Sequence, residues 1–348
     1  MNIKINETPV RTARNFRINN ITIDAPEILE KLEEFKNIEI KTLSTNCTEN
    51  VENVPFTYGI GTKQEEQINK LANHKAHIKI EKKEDIKIIY TFDDENRYLI
   101  NNLEFVVNND ANIIIEYRSK TELPCYHNGK IKVIAKNGSK AKITIVNFLN
   151  IASTHLEAVE NQIEDNADVQ YIIADIGGKY SITNYYANLV GEKAKNETKT
   201  IYLGIKDQIK DINYIAELRG EKTNMKMDLQ GALKDNSVKK FKGDIDFKTG
   251  CKKGKGSEND ACMLLSDTAK SIALPMLLCT EDDVEGEHST SSGKADEKEL
   301  FYIMSRGLSH KEAIKLIVKA KFYSLIEKIS EEELRQEVID EIDRRLDQ

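Results

Sequence analysis

The chain has no tryptophan, only five prolines and no apolar run long enough to cross a membrane as a helix. Residues 1–7 contain no apolar core of a secretory signal, so we expect a cytoplasmic protein. The five cysteines follow no CxxC spacing, and in that compartment we expect them to be free thiols. Excess positive charge is also missing: the formal net charge is −7, which argues against nucleic acid or a membrane surface as a partner.

Apolar residues are thinly spread. The hydrophobic set makes up 39% of the 348 residues and charged residues 31%. This composition favours an elongated body of many short strands over one compact core. We divide the chain into an N-terminal helical region (1–75), a β core (76–290) and a C-terminal helical region (291–348).

The N-terminal region has two helix signals. Asp24 and Pro26 are typical of a helix start, because proline is tolerated in the first turn and an acidic group favours the positive end of the helix dipole. Apolar residues then recur at helical spacing: Ile28, Leu29, Leu32 and Phe35. We predict a second helix over residues 63–72.

The β core consists of short runs rich in Ile, Val, Tyr and Thr, separated by Asn, Asp, Gly and Lys. These runs predict strands, and no helical pattern lies between them. The clearest strands are 76–80, 86–92, 113–117, 131–135, 143–148 and 169–174.

Alanines recur at the turns of this core. Ala111, Ala141, Ala167 and Ala194 each follow turn residues, at a nearly constant spacing along the chain. Turns of such a regular length stack into a β-solenoid, in which a small residue at each corner lets successive turns approach closely. A β-sandwich with similar turns is the alternative, and the alanine period favours the solenoid.

The C-terminal region predicts three helices with capping boxes, in which a short polar side chain precedes an acidic residue by three positions. The pairs are Asp296 with Glu299, Ser309 with Glu312, and Ser330 with Glu333. The last helix carries a strict i, i+4 apolar series: Leu334, Val338, Ile342 and Leu346. Such a face must be covered by another part of the structure.

Read in order, these segments resemble the SufB/SufD family of iron–sulfur cluster assembly scaffolds. The strongest match is MLLSDTA at 263–269, followed by Pro275, a DDV at 282–284, His288 and LFYIMSRG at 300–307. KKFKGDI at 239–245 and NETPVRT at 6–12 are weaker matches.

The resemblance implies a right-handed parallel β-helix flanked by helical regions. It also implies a non-enzymatic scaffold that handles a transient iron–sulfur cluster, with no permanently bound cofactor. The implied partners are a second SufB/SufD protomer, identical or paralogous, which pairs through late strands, and a SufC-type ABC ATPase. The chain itself has no nucleotide-binding P-loop motif, and the basic glycine-rich stretch at 250–257 lacks its spacing.

Two departures affect the expected role. A SufB-type protein has a cysteine where this chain has Asp260, and a glutamate where it has Ser289. The local sequence is therefore nearer SufD, although the single scaffold of a minimal two-component system stays open.

The candidate cluster site consists of Cys262 and His288, with Glu287 as a possible ligand or neighbour. Thiolate and imidazole are suitable ligands for iron. His288 lies in a polar stretch that predicts a turn, and Cys262 in an apolar strand. Their separation along the chain is about one repeat of the alanine spacing, so we expect them on neighbouring turns of the solenoid.

The candidate ATPase-binding surface is the helix that follows Asp296 and the turn after it. Its apolar residues and its end are the predicted contacts: Leu300, Phe301, Ile303, Arg306 and Gly307. Two short helices with one polar edge form a helix-in-groove docking unit.

Other functions are possible for such a sequence. One is a carbohydrate-active enzyme that uses Asp282, Asp283, Glu285 and Glu287 as paired acids, but no aromatic sugar platform accompanies them. Another is a structural adaptor of a different ATPase. Cys125 and His127 flank Tyr126, but a metal site there needs two further ligands, which the local sequence does not offer.

Overall fold

The computed structural model describes residues 2–8, 18–26, 28, 30–42, 47–48 and 56–348, without the side chains of residues 47 and 48. Residues 9–12 of the N-terminal motif and Leu29 of the first predicted helix lie outside this part of the chain.

Two nine-stranded sheets form the body of the molecule. The front sheet has the order β20-β18-β16-β14-β12-β10-β8-β6-β3, and the back sheet has the order β19-β17-β15-β13-β11-β9-β7-β5-β4. Strands of the front sheet are β3 (Ile38–Thr42), β6 (Glu84–Phe92), β8 (Ala111–Ser119), β10 (Lys140–Phe148), β12 (Asp168–Asp175), β14 (Lys195–Gly204), β16 (Asn224–Leu233), β18 (Gly254–Leu264) and β20 (Val284–Gly293). Strands of the back sheet are β4 (Cys47–Thr48), β5 (His74–Ile80), β7 (Tyr98–Val107), β9 (Tyr126–Ala135), β11 (Thr154–Ile163), β13 (Tyr180–Leu189), β15 (Ile209–Leu218), β17 (Val238–Phe247) and β19 (Lys270–Cys279).

The chain alternates between the two sheets, so that each turn contributes one strand to each. From β5 onward every pairing between these successive turns is parallel, and about eight turns stack into a β-solenoid. All six strands predicted from the sequence lie within observed strands. The four repeating alanines are buried at the corners, where they admit the next turn.

The solenoid interior is filled by side chains from alternate positions of both sheets. Successive side chains of a strand point to opposite faces, so one set faces inward and the other outward. Inward-facing rings stack along the axis, for example Tyr90 on Tyr117 with centroids 5.4 Å apart. Because these side chains have no water contact, their burial is the main source of stability of the body.

The N-terminal region contains strands as well as a helix. β1 (Asn2–Ile5) and β2 (Ile21–Asp24) form an antiparallel pair, whose isoleucines pack on the outer face of the back sheet. The predicted second helix is confirmed as α1 (Thr62–Leu71). The helix predicted from Asp24 is wrong: Asp24 ends a strand, and the residues from 30 to 37 are neither helix nor strand.

The position of Phe35 explains why the helical spacing of apolar residues led to a wrong helix prediction. It contacts Tyr90 and Phe92 edge-on, with centroids 6.2 and 5.2 Å away. It thus joins the interior core at the first turns of the solenoid rather than lying on one face of a helix. Tertiary packing has overridden local propensity here.

Three helices follow the last strand: α2 (Glu297–Ser305), α3 (His310–Ile326) and α4 (Glu332–Asp347). Asp296 caps α2, and Ser309 and Glu312 form the predicted capping box of α3. The predicted box of Ser330 and Glu333 is wrong, because α4 has Glu331 at its N-cap and Ser330 donates a hydrogen bond to Asn112 of the front sheet instead.

Helices α3 and α4 lie on the outer face of the front sheet. The predicted apolar series of α4 is buried in one cluster with apolar residues of β8, β10, β12 and β14. Arg345 of α4 is buried, and its guanidinium group donates a hydrogen bond to the carbonyl of Leu149 at 2.8 Å. None of the helices in the described ranges is long and apolar enough to cross a membrane.

Candidate functional site

The last turn of the solenoid, formed by β19 and β20, is the part of the body that nothing in the described chain covers. Both strands end their sheets, so each has one edge without a neighbouring strand among the described residues. Strand β20 is exposed along nearly its whole length, and β19 is half-buried. We call this pair of strands the terminal turn.

The structure places His288 within β20, not in a polar turn as the sequence suggested. Its backbone pairs with Glu258 of β18, whose buried side chain faces the interior. In a parallel ladder, paired residues point to the same side, so His288 faces inward, and it is exposed because no further turn of the described chain covers it. The ladder with β18 holds this polar strand, and Val284 at its start packs against the interior core.

Glu287 faces away from His288. It is the adjacent residue in the same strand and pairs with Ser257, a residue of the outward-facing set. Because neighbouring residues of a strand point to opposite faces, Glu287 does not orient the His288 ring. Within the described part of this chain, Glu258 is the carboxylate that lies beside His288.

Cys262 also faces the interior but is 5% exposed, one turn in from the end. Burial raises the pKa of its thiol, while the nearby Lys239 ammonium and the Tyr202 and Ser271 hydroxyls lower it. Its ladder partner in β20 is Ser292, four positions beyond His288. At about 3.3 Å per residue, Cys262 and His288 are separated by about 13 Å along the strands. They occupy adjacent strands as expected, but the structure does not bring them together in one chain.

Asp260, the residue at the position of the SufB-type cysteine, forms a buried ion pair with Lys239. The Tyr202 hydroxyl donates to the same carboxylate at 3.2 Å. Both charged side chains are almost fully buried. A cysteine at this position would leave Lys239 without its counter-ion, so the departure from the SufB pattern is matched by the residues around it.

Glu258 is the residue of this region that the sequence analysis missed. It is buried, and neither carboxylate oxygen has a hydrogen-bond partner within the described residues. Burial is the main cause that raises its pKa from 4.5 to about 8, with Asp244 and Asp260 adding to the shift. The sequence pattern that could have revealed Glu258 is the alternation Glu258, Asp260, Cys262, which places all three on one face of β18. Strand β18 begins at Gly254, so it is longer than the apolar strand that the sequence predicted around Cys262.

The polar residues near the terminal turn belong to a longer pattern. One inward-facing ladder of the back sheet runs through Leu99, His127, His155, Ser181, Lys210, Lys239 and Ser271. The facing ladder of the front sheet runs through Tyr117, Asn147, Asp175, Tyr202, Gly231, Cys262 and Ser292. We call the two together the polar strip. In the middle turns its members satisfy one another, for example Lys210 with Asp175 at 2.9 Å.

Helix α2, which follows β20 in the chain, presents an aromatic surface. Leu300 and Ile303 pack against the cluster under the C-terminal helices, whereas Phe301 and Tyr302 are 75% and 58% exposed. Arg306 donates a hydrogen bond to the Tyr302 hydroxyl at 3.0 Å and lies over its ring. Gly307 ends the segment with a φ of 99°, a conformation that favours glycine.

The other candidate residues do not converge. Asp282 and Asp283 lie in the turn before β20, while Glu285 is on its outer face and pairs with Lys255. Gly254 and Gly256 lie within β18, where Gly256 allows the close approach of Ile245 and Phe247 rather than forming a phosphate loop. Cys251 is buried and Cys279 is exposed at the end of β19.

The fold and this site define a class of protein: a parallel β-solenoid with an open last turn and a helical hairpin folded back on one sheet. Residues 90–321, about two thirds of the chain, match the family model described as the SufBD core domain of the SUF system for iron–sulfur cluster assembly. The chain belongs to the SufBD family.

Three curated relatives show how far the similarity extends. The iron–sulfur cluster assembly protein SufD of Bacillus subtilis is 26% identical over 166 residues, which cover 48% of this chain and 38% of that protein. A SufBD family protein of Pyrococcus horikoshii is 37% identical over 144 residues (41% and 31%), and one of Staphylococcus saprophyticus is 22% identical over 214 residues (60% and 46%). The matched segments thus span less than half of each relative's length.

Proposed function

We propose that this chain is a scaffold subunit for iron–sulfur cluster assembly, and that the terminal turn is where it contributes to the cluster site. The observation that carries the proposal is an inward-facing histidine, His288, on an uncovered last strand, directly beside the carboxylate of Glu258, which has no hydrogen-bond partner among the described residues. Imidazole and carboxylate are ligands that iron accepts. Membership of the SufBD family supports the same function.

The terminal turn is also the surface through which we propose that two protomers pair. Each of its strands is ten residues long and has an edge that no described strand covers, and such an edge readily adds a strand from another chain. Pro275 lies in the middle of β19, a position that fits an edge strand because proline has no N–H to donate. Pairing here would cover His288 and the half-buried apolar residues of β19, such as Leu277.

Since Cys262 and His288 are about 13 Å apart along the strands of one chain, a site that uses both must take them from two protomers. A SufD-like chain would donate His288 alone, and its partner would supply the thiolate. A self-sufficient homodimer would need Cys262 of one copy near His288 of the other. The buried ion pair at Asp260, in place of a cysteine, favours the SufD-like role.

Single substitutions separate these roles. Iron and sulfide are measured in the complex after co-expression with a SufC-type ATPase and the other SUF proteins. Loss of cluster with His288→Ala alone supports the SufD-like role, and loss with both His288→Ala and Cys262→Ser supports the homodimer. Cys251→Ser is the matched control, because Cys251 is buried in the solenoid but outside the terminal turn. Normal cluster content in both His288→Ala and Cys262→Ser rejects the site.

We further propose that α2 binds the ATPase through Phe301 and Tyr302. Removing all residues after 294 is a poor test, because it would uncover the apolar face of the front sheet that α3 and α4 protect. Phe301→Asp changes only an exposed side chain, and we expect it to abolish co-purification with the ATPase. Tyr323→Asp is the matched control, since Tyr323 is 59% exposed on α3. Unchanged binding by Phe301→Asp would refute this docking surface.

A further inference from the structure

A cluster of potential metal ligands lies inside the solenoid, several turns away from the terminal turn along the back sheet. His127 of β9 and His155 of β11 are directly opposite each other in the parallel ladder, and Glu157 lies two positions further on β11, on the same face. All three are buried, and one ligand atom from each lies within 4.8 Å of the others. No residue of this cluster takes part in the function proposed above.

The two imidazoles have the spacing of two ligands on one ion. Their Nδ1 atoms are 2.9 Å apart, a distance that is a hydrogen bond between the rings without an ion and that also suits two ligands of one ion. Two nitrogens bound to the same ion at about 2.0–2.1 Å, with an angle between 90° and 110°, are about 2.9–3.4 Å apart. A neutral imidazole has one nitrogen lone pair to offer to a metal ion.

The surroundings of His127 direct its lone pair into the cluster. Its Nε2 lies 2.9 Å from Oδ1 of Asn101, an oxygen that can only accept. Nε2 therefore carries the ring proton, and the lone pair is on Nδ1, the atom that faces His155. A histidine whose second nitrogen donates to a carbonyl oxygen is the usual arrangement around metal-ligating imidazoles.

Glu157 supplies the oxygen of the set and has no other evident use among the described residues. Neither of its carboxylate oxygens has a hydrogen-bond partner of good geometry there, although Tyr117 lies close by. Burying a carboxyl group without a partner is costly, and an ion bound there would remove that cost. Two neutral imidazoles and one carboxylate balance the charge of a divalent ion in part.

Gly129 makes this arrangement sterically possible. It is the ladder partner of both Glu157 and Asn101. A Cβ at this position would lie 2.1 Å from Oδ1 of Asn101 and 2.5 Å from Nε2 of His127. The hydrogen bond that fixes the His127 ring therefore requires a glycine here.

We propose that His127, His155 and Glu157 bind one divalent transition-metal ion, such as Zn²⁺ or Fe²⁺, inside the solenoid. Two imidazoles and a carboxylate are a ligand set used for both ions. Asn101 is a positioning residue, because it acts through the tautomer of His127. The ion joins β9 to β11 and enters as the turns close during folding, because the cluster is sealed in the finished body.

The test uses the full chain, unfolded with a chelator and refolded with or without Zn²⁺, Fe²⁺ or Co²⁺ (iron without oxygen). We expect about one ion per chain by elemental analysis, a higher midpoint of thermal unfolding, and visible Co²⁺ absorption. The expected loss of Co²⁺ affinity is at least about 100-fold for His155→Gln and Glu157→Gln, and about 10- to 100-fold for Asn101→Ala.

His74→Gln is the matched control. His74 is another histidine of the solenoid, bonded to the Tyr90 hydroxyl at 2.7 Å and outside the cluster. We expect this variant to bind the ion as the wild type does. Glu157→Gln keeps the shape of the side chain. If this variant folds without metal, its loss of ion binding is not caused by a loss of structure.

Two results would overturn the proposal. One is wild-type protein that refolds with no bound ion and no change in its unfolding midpoint with any of the three metals. The other is Glu157→Gln that binds the ion as tightly as the wild type. Neither result depends on cluster assembly, so failure here leaves the proposed function untouched.

Discussion

The middle turns and the terminal turn contain the same kinds of inward-facing polar residues but differ in what covers them. In the middle, Lys210 and Asp175 or His127 and Asn101 satisfy each other in a sealed interior. At the end, the inward-facing positions continue to Ser292 and His288 with no following turn in the described chain. A polar strip that stabilises a closed solenoid therefore becomes an accessible set of donors and acceptors at its open end.

We expect a buried and an exposed ion pair near the terminal turn to contribute very differently to the free energy of unfolding. Lys239→Met leaves the buried carboxylate of Asp260 without its counter-ion and should lower the free energy of unfolding by about 3–5 kcal/mol. Lys255→Met removes an exposed pair with Glu285 and should cost less than about 1 kcal/mol. Urea denaturation of both variants measures the difference. Equal effects would mean that the interior near the end is already open to water.

Glu258 should make stability depend on pH. Its pKa is raised in the folded state from 4.5 to about 8, so the folded protein binds this proton more tightly than the unfolded chain. Its contribution to stability is complete below about pH 4.5 and is lost as the pH rises through about 8. Glu258→Gln should therefore gain on the order of 3 kcal/mol relative to the wild type between about pH 5 and pH 8.5.

Urea unfolding at several pH values measures that gain. Some slope should remain in the variant, because burial raises the pKa of Glu157 to about 8 and of Asp244 to about 7. A variant whose pH profile is parallel to that of the wild type would contradict the burial of Glu258.

The two regions should also differ in how histidines affect stability. His127→Ala breaks buried hydrogen bonds to Asn101 and His155 and should cost roughly 1–3 kcal/mol. His288→Ala changes an exposed side chain and should stay within about 0.5 kcal/mol of the wild type. Thermal unfolding in metal-free buffer compares them. A large loss with His288→Ala would give this residue a structural rather than a functional role.

The periodicity of the sequence predicted the solenoid well, because strand composition and corner alanines follow from local geometry. The register of the strand pairing was harder to predict. The separation between Cys262 and His288 matched the alanine period, but the last turn is longer, and the residue that pairs with His288 is Glu258, four positions before Cys262. An error of that size in turn length displaces a side chain by about 13 Å.

The same reasoning explains why the sequence analysis did not find the group of candidate metal ligands. His127 and His155 are ladder partners one turn apart, and Glu157 follows two positions later on the same strand. The candidate ligands beside His127 therefore lie one turn away rather than nearby in the sequence, and Cys125 is not among them. Asn101 and Gly129 complete the arrangement, and only the pairing of the strands in the folded structure brings them beside these residues.

We propose that the terminal turn is open in the single chain and is closed by a second protomer. Amide hydrogen exchange across residues 270–293 tests it, with the protein dilute, concentrated, and mixed with the SufC-type ATPase; the amides of β16 serve as the internal standard. We expect fast exchange along the free edges of β19 and β20 in the dilute chain. We also expect at least about tenfold slower exchange there once a dimer forms, with β16 unchanged. A dimer in which exchange at the terminal turn is as fast as in the dilute chain would show that the second protomer does not close this turn.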